Sequence, residues 1–150
     1  MSYRILTTDE AHWRPSNQMG IANTNLAAQL EAQLVGARLW RLAPGQASTR
    51  HRYREQEEIY VLLEGTGRMR VDDDLLTIGR LDAVLVEPGS VRQVFNDTED
   101  EQLWLVLGAP PEPANTLEMS EEQLRYSYPD GPQAMPPEFS EPRGANEEDR

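Results

Sequence analysis

The sequence predicts an all-β fold, either a small closed barrel or a double-sheet jelly roll, over residues 38–108. Apolar and polar residues alternate there in short runs, which is the period of a strand with one buried face. Gly, Pro, Asn and Asp residues separate about eight such runs. Residues 1–37 are predicted to form an N-terminal arm, and residues 109–150 a Pro-rich and acidic C-terminal extension.

In the N-terminal arm, one short helix is predicted after Asn25. Leu26, Leu30 and Leu34 are spaced so that they fall on one face of a helix. Either Asn25 or Thr24 can cap its first turn. We expect the leucine stripe to pack against the barrel or against a partner subunit.

The strands of the barrel follow in the order in which turn residues divide the chain. The first reads ARLWRLAPG and ends at the Pro44–Gly45 turn, and the second reads EIYVLLEG, after which Gly65 opens the next hairpin. Two further runs, RMRV and LLTI, flank the acidic turn at Asp72–Asp74. The last three runs are DAVLVEPG, VRQVFN and QLWLVLGA.

The C-terminal extension leaves the sheet pattern. Pro110, Pro111 and Pro113 exclude further ladder strands. Ser120 and Gln123 have the spacing of a capping box, which predicts one or two helical turns in MSEEQLRYSY. The following PDGPQAMPPEFS is predicted to be extended, and the final GANEEDR to be disordered.

Composition excludes several classes of function. The 150 residues suit one domain, and the net charge of −12 argues against binding to nucleic acid. No apolar run approaches the ~18 residues of a membrane span, and the start lacks the pattern of a secretory signal, so we expect a cytoplasmic protein. The chain has no Cys and no Lys, which excludes thiolate ligands and Schiff-base chemistry.

Two motifs carry the chemistry of the chain. The first is Gly45-x5-His51-x-Tyr53-x4-Glu58-x6-Gly65. The second lies in LDAVLVEPGSVRQVFN, where a Gly and an Asn frame Arg92. Together they resemble the two motifs of the cupin superfamily, G-x5-H-x-H-x3,4-E-x6-G and G-x5-P-x-G-x2-H-x3-N. Tyr53 stands at the second His position and Arg92 at the last one.

This resemblance to a small single-domain cupin implies a double-stranded β-helix with a site inside the barrel. In such cupins three His and one Glu bind Fe, Mn, Ni, Zn or another divalent ion. The corresponding positions here are His51, Tyr53, Glu58 and Arg92. The resemblance also implies a homodimer, since such cupins commonly pair through exchanged edge strands.

The departures from the motifs predict that the usual metal set is lost. Arg92 cannot ligate a cation, because a guanidinium is a donor only and keeps its proton. Tyr53 is a ligand only as phenolate, against an ordinary pKa of ~10. His51 and Glu58 alone fall one His short of a facial triad. We therefore expect no cofactor, with a divalent or ferric metal held by His51, Tyr53 and Glu58 as the alternative.

Arg92 also suggests what replaces the metal. A buried Glu58 needs a cation or donors, and Arg92 can offer a bidentate partner from the facing strand. The resulting cluster is either a relic that binds nothing or the polar end of a ligand pocket in which Arg92 supplies the fixed positive charge. Aromatic residues on the strands are candidates for the pocket wall. The candidate pocket comprises Trp40, His51, Tyr53, Glu58, Tyr60, Arg92 and Trp104.

Three functions remain open at this level. The first is a barrel that binds a small molecule, and we expect anions with a ring or an alkyl body to be preferred over neutral sugars. The second is a metal-dependent dioxygenase or isomerase acting through His51, Tyr53 and Glu58. The third is a non-catalytic interaction protein whose barrel is only a scaffold.

Overall fold

The computed structural model describes residues 2–140, and within them nine strands form two antiparallel sheets. One sheet has six strands in the order β1-β2-β3-β9-β4-β7, and the other has three in the order β6-β5-β8. This confirms the all-β prediction. The strands are β1 Arg14–Pro15, β2 Ala22–Asn25, β3 Gly36–Leu42, β4 Glu57–Glu64, β5 Gly67–Val71, β6 Asp74–Ile78, β7 Ala83–Val86, β8 Arg92–Phe95 and β9 Gln102–Ala109.

The core lies between the two sheets, and the strand alternation explains which side chains enter it. Along β9 every second residue is buried, as a strand with one inward face requires. Inward residues of β4 and β9 meet those of β5 and β8 in one cluster that includes Leu62, Trp104, Met69 and Val94. A Cβ at Gly67 would collide with the ring of Trp104, so the glycine that opens β5 is required by core packing.

The N-terminal arm joins the barrel rather than lying beside it. β2 pairs with β3 in antiparallel register, and β1 pairs with β2 at the edge of the larger sheet. The helix α1, Leu26–Gln29, is capped by Asn25 but is shorter than the sequence predicts. The chain turns at Glu31, whose φ of 56° lies in the left-handed region, and Leu34 is 80% exposed. The leucine stripe therefore does not form.

After β9 the chain runs back across the barrel. A 3₁₀ turn, Thr116–Glu118, precedes α2, Glu121–Ser127, and the predicted capping box of Ser120 and Gln123 is present. A further turn of helix, α3, Pro137–Ser140, replaces the predicted extended end, because proline suits the first turn of a helix. The predicted disorder of GANEEDR lies outside the described residues. No helix in residues 2–140 is long and apolar enough to cross a membrane.

Candidate functional site

The two motifs meet inside the barrel because the segment that precedes β4 bridges to β8. The backbone N–H of His51 donates to the Arg92 carbonyl at 3.0 Å, and the Arg92 N–H donates to the His51 carbonyl at 2.8 Å. Glu58 enters from β4, where its side chain shares the inward face with Tyr60. His51, Tyr53, Glu58 and Arg92 are all buried.

Glu58 is the centre of the polar cluster. The Tyr60 hydroxyl donates to Glu58 Oε1 at 2.7 Å, His51 Nε2 lies 3.5 Å from the same oxygen, and Arg92 Nη1 lies 3.8 Å from it. Burial alone would raise the pKa of Glu58, but His51, Arg92 and the Tyr60 hydroxyl together hold that pKa below its usual value. The carboxylate is therefore ionised at neutral pH.

His51 is oriented by the backbone on its other side. Its Nδ1 lies 3.0 Å from the Thr49 carbonyl oxygen, and 3.1 Å from the Thr49 hydroxyl. These two contacts fix the orientation of the imidazole ring. This directs Nε2 towards Glu58.

Arg92 is fully buried, but its guanidinium is only partly satisfied. Nη2 donates to the Glu87 carbonyl at 3.2 Å, and the guanidinium lies 5.4 Å from the centre of the Tyr53 ring. Nε and Nη1 have no hydrogen-bond partner within residues 2–140. The predicted bidentate bond to Glu58 is thus replaced by one longer ion pair, because the guanidinium faces Tyr53 as well as Glu58.

The two tyrosines of the cluster are neutral donors. Burial, reinforced by the charge of Glu58, raises the pKa of Tyr53 and of Tyr60 well above the ordinary value. Neither phenol therefore becomes a phenolate at neutral pH, and a phenol is a poor ligand for a divalent ion.

The residues present do not fit the metal of a complete cupin motif. No group of three His, Cys, Asp or Glu side chains able to hold a metal occurs in residues 2–140. Tyr53 stays protonated, and the cation of Arg92 occupies the last ligand position beside Glu58. A divalent ion next to that guanidinium would be repelled by it.

A cavity of about 450 Å³ opens on one side of this cluster. Of the candidate pocket residues, Trp40, His51, Tyr53 and Glu58 line it. The other three stand behind the wall. Arg92 contacts Glu58, the Tyr53 ring and the Glu87 carbonyl, and Tyr60 contacts Glu58. Trp104 is a core residue whose indole N–H donates to Gln102 Oε1 at 2.9 Å.

The cavity wall also contains residues that the sequence interpretation does not single out. Arg14 and Arg38 come from β1 and β3, so Arg92 is not the charge that the cavity presents, contrary to expectation. Arg38 Nη1 donates to Asn23 Oδ1 at 3.0 Å, and burial lowers the pKa of Arg38 without removing its charge. Arg38 lies two residues before Trp40 on β3, so strand alternation was the signal that could have revealed it.

The remaining wall residues come from the arm, from the approach to β4 and from the segment after β9. Tyr128, at the end of α2, reaches the cavity because the Arg52 N–H donates to the Ser127 carbonyl at 2.9 Å. Arg52 also stacks 4.1 Å over the ring of Tyr126. The other polar wall residues include Asn17, Gln18, Asn23, Asn25, Gln56, Asn115 and Thr116.

Comparison with known proteins places residues 38–108 in the family described as "Cupin domain". A sugar phosphate isomerase from Silicibacter pomeroyi has a TM-score of 0.66 at 24% identity, covering 72% of this chain and 76% of its own. A predicted oxalate decarboxylase from Thermotoga maritima has a TM-score of 0.64 at 17% identity, covering 72% and 100%. A Cupin 2 conserved barrel domain protein from Salinispora arenicola has a TM-score of 0.60 at 22% identity, covering 73% and 90%. No curated protein sequence matches the chain.

Proposed function

Residues 38–108 are a cupin domain, and from that premise we propose that the barrel has lost the usual metal tetrad and binds a small anionic molecule in its cavity. The cavity volume of about 450 Å³ falls within the range of small-molecule sites. The anion would meet Arg38 at the wall, while Glu58 and its partners form the inner end.

The observation that carries this proposal is a cation at the cavity wall without an acidic partner. The guanidinium of Arg38 bonds the neutral amide of Asn23, and that of Arg14 bonds the neutral amide of Asn17. Neither contacts a carboxylate within residues 2–140, although the chain carries a net charge of −12. In contrast, these arginines each contact a carboxylate: Arg4, Arg41, Arg50, Arg54, Arg68, Arg70, Arg92 and Arg125.

Burial lowers the pKa of Arg38 and the more distant charge of Glu58 partly offsets that, but no carboxylate in residues 2–140 bonds its guanidinium directly. Such a partly buried guanidinium favours an anion, because the anion replaces lost hydration with charge-assisted hydrogen bonds. Carboxylate and phosphate both match its planar donors. The neighbour from Silicibacter pomeroyi is named a sugar phosphate isomerase, and a sugar phosphate is a small anion of this kind. The ionised Glu58 limits the total attraction, so we expect micromolar to millimolar affinity, or about 4–8 kcal/mol.

Titration calorimetry on the whole chain tests the proposal, with inorganic phosphate, sugar phosphates and small carboxylic acids as probes. We expect at least one anion to bind, and the heat to disappear in Arg38→Met. Arg80→Met is the matched control, because Arg80 is exposed and makes no ion pair within the described residues. Binding that survives Arg38→Met, or that weakens equally in both variants, would refute the role of Arg38.

One observation favours a second candidate, a metal-dependent enzyme. His51 Nε2 and Glu58 Oε1 lie 3.5 Å apart, and both residues line the cavity, so two ligands of the cupin set remain together. Tyr53 would have to supply the third ligand as a phenolate, against its raised pKa. Binding of Zn²⁺ or Mn²⁺ at one per chain, abolished by His51→Ala and by Tyr53→Phe, would support this candidate.

A further inference from the structure

Four side chains at the cavity wall have polar atoms that bond nothing within residues 2–140. They are the hydroxyls of Tyr53 and Tyr128, the side-chain amide of Gln56 and Oε2 of Glu58, whose three contacts all converge on Oε1. Each of the four residues is at most 8% exposed. None of these four atoms is among the fully enclosed unpartnered atoms of the described residues, so each keeps some accessible surface. Because all four residues line the cavity, that surface faces the open space of the cavity.

Gln56 shows how the fold directs one of these groups inwards. Its backbone N–H is held by the carboxylate of Glu112 at 3.2 Å, which fixes the main chain at the approach to β4. Its side chain then lies across Gly108 on β9, where any Cβ would collide with the amide nitrogen. The amide therefore packs against the backbone at Gly108, where there is no side chain to bond it, and it remains available to a molecule in the cavity.

The four groups are chemically complementary to hydroxyl groups. A phenol is protonated at neutral pH, so the hydroxyls of Tyr53 and Tyr128 can both donate. Glu58 Oε2 can only accept, whereas the Gln56 amide both donates and accepts. A hydroxyl can serve each of them in turn, since it donates one hydrogen bond and accepts two.

In the free protein these groups are open to water, but a ligand displaces that water, and any polar group that it leaves unpaired is then buried at a cost. An acid with an alkyl or aromatic body would pair Arg38 and leave the other four groups dry. This differs from the preference for anions with a ring or an alkyl body that was expected from the sequence, which took Trp40 or Trp104 as an apolar wall. Of the two tryptophans named there, Trp40 lines the cavity and can face the C–H side of a sugar.

We propose that the ligand is a small acid with several hydroxyl groups, such as a sugar acid. Its carboxylate would lie at Arg38, and its hydroxyls would bond Tyr53, Gln56, Glu58 and Tyr128. This inference rests on the proposed anion site, because it assigns the chemistry of the remainder of the same molecule. Tyr53 and Gln56 are then the residues that set specificity.

The test separates charge from hydroxyl groups with three kinds of probe at equal chain length. D-gluconate and D-galactonate have both features, hexanoate has only the carboxylate, and sorbitol has only the hydroxyls. Titration calorimetry should give at least one of the two sugar acids an affinity about tenfold or more above hexanoate, since each unpaired group penalises the bare chain. Gln56→Leu and Tyr53→Phe should each reduce that ratio several-fold.

The possible results distinguish this inference from the anion site itself. If hexanoate binds as tightly as both sugar acids, and Arg38→Met abolishes all binding, the anion site stands and the hydroxyl inference is overturned. If sorbitol binds as tightly as the sugar acids, the carboxylate is not required, and both the anion site and the sugar-acid inference that rests on it are overturned. If none of these carboxylic acids binds, the sugar-acid inference is overturned, and the anion site falls with it when phosphate and the sugar phosphates also fail to bind. Melting curves of each variant, with Arg80→Met as control, show whether a loss of binding reflects a loss of fold.

Discussion

Replacing Arg92 by Met removes the cation that faces Glu58 inside the barrel while keeping most of the side-chain volume. Arg92 is 0% exposed and Glu58 is 5% exposed, so water cannot take the place of the lost charge. The carboxylate of Glu58 would then be buried without a full counter-charge. We expect this variant to be clearly less stable than the unaltered protein.

The magnitude follows from the distance and the burial. Two unit charges at the observed 3.8 Å attract each other by about 4 kcal/mol at an effective dielectric constant of about 20. Breaking a buried pair by removing one partner costs ~3–5 kcal/mol. Glu58 retains the Tyr60 hydroxyl and His51, so we expect the lower end, about 3 kcal/mol, which corresponds to a fall in melting temperature of roughly 6–12 °C.

Thermal unfolding followed by circular dichroism measures this loss, with urea unfolding to give the free energy. Arg80→Met makes the same chemical change at an exposed position, and we expect it to shift the melting temperature by no more than about 2 °C. Arg92→Met/Glu58→Gln should recover part of the loss, because it removes the stranded charge. Equal small shifts in Arg92→Met and Arg80→Met would refute the buried pair.

Three further predictions concern the same barrel. Because the folded-state pKa of Glu58 is lowered, its carboxylate stabilises the fold above the unfolded pKa of about 4.3, and that contribution is lost as pH falls through the folded pKa. Glu58→Gln should therefore lose less stability than the unaltered protein as pH falls below the unfolded pKa, and parallel acid curves would contradict this. Arg92→His should create a third ligand beside His51 and Glu58, detectable as Co²⁺ absorption bands that the unaltered protein lacks. We also propose a homodimer that covers the exposed cross-strand pair of Ile59 and Leu85, which are 40% and 54% exposed. Light scattering at micromolar concentration should report a dimer that Leu85→Glu dissociates. A monomeric unaltered protein would contradict this proposal.

The fold was predictable because local signals agree with the global arrangement. The turn residues separate the strands where the structure does, as at Gly65, which has a φ of 87° between β4 and β5. The helix in the arm was predicted to be too long, because the spacing of the leucines does not show whether each of them is buried. Leu34 has no surface to cover it within residues 2–140, and the left-handed turn at Glu31 ends the helix first.

The candidate site was only partly predictable. The first motif predicted that His51, Tyr53 and Glu58 belong to one site, and the structure brings them together although Glu58 alone of the three lies on a strand. Strand parity pointed to Gln56, two residues before Glu58, but that amide is informative only once Gly108 is seen beneath it.

Tyr128 and Arg14 show the limit of sequence patterns. They reach the cavity wall through the packing of α2 and the pairing of β1, which depend on contacts distant in the chain. No local spacing encodes such contacts, so neither residue could be assigned to the site before the structure.

Elemental analysis tests most directly whether the buried Arg92 stands in place of a metal ion in this barrel. The whole chain, purified without chelator and then dialysed, should contain well under one transition metal per chain. Addition of Zn²⁺, Mn²⁺ or Fe²⁺ should leave the melting temperature unchanged. A full equivalent of Fe, Mn, Ni or Zn, lost on His51→Ala, would contradict this role of Arg92.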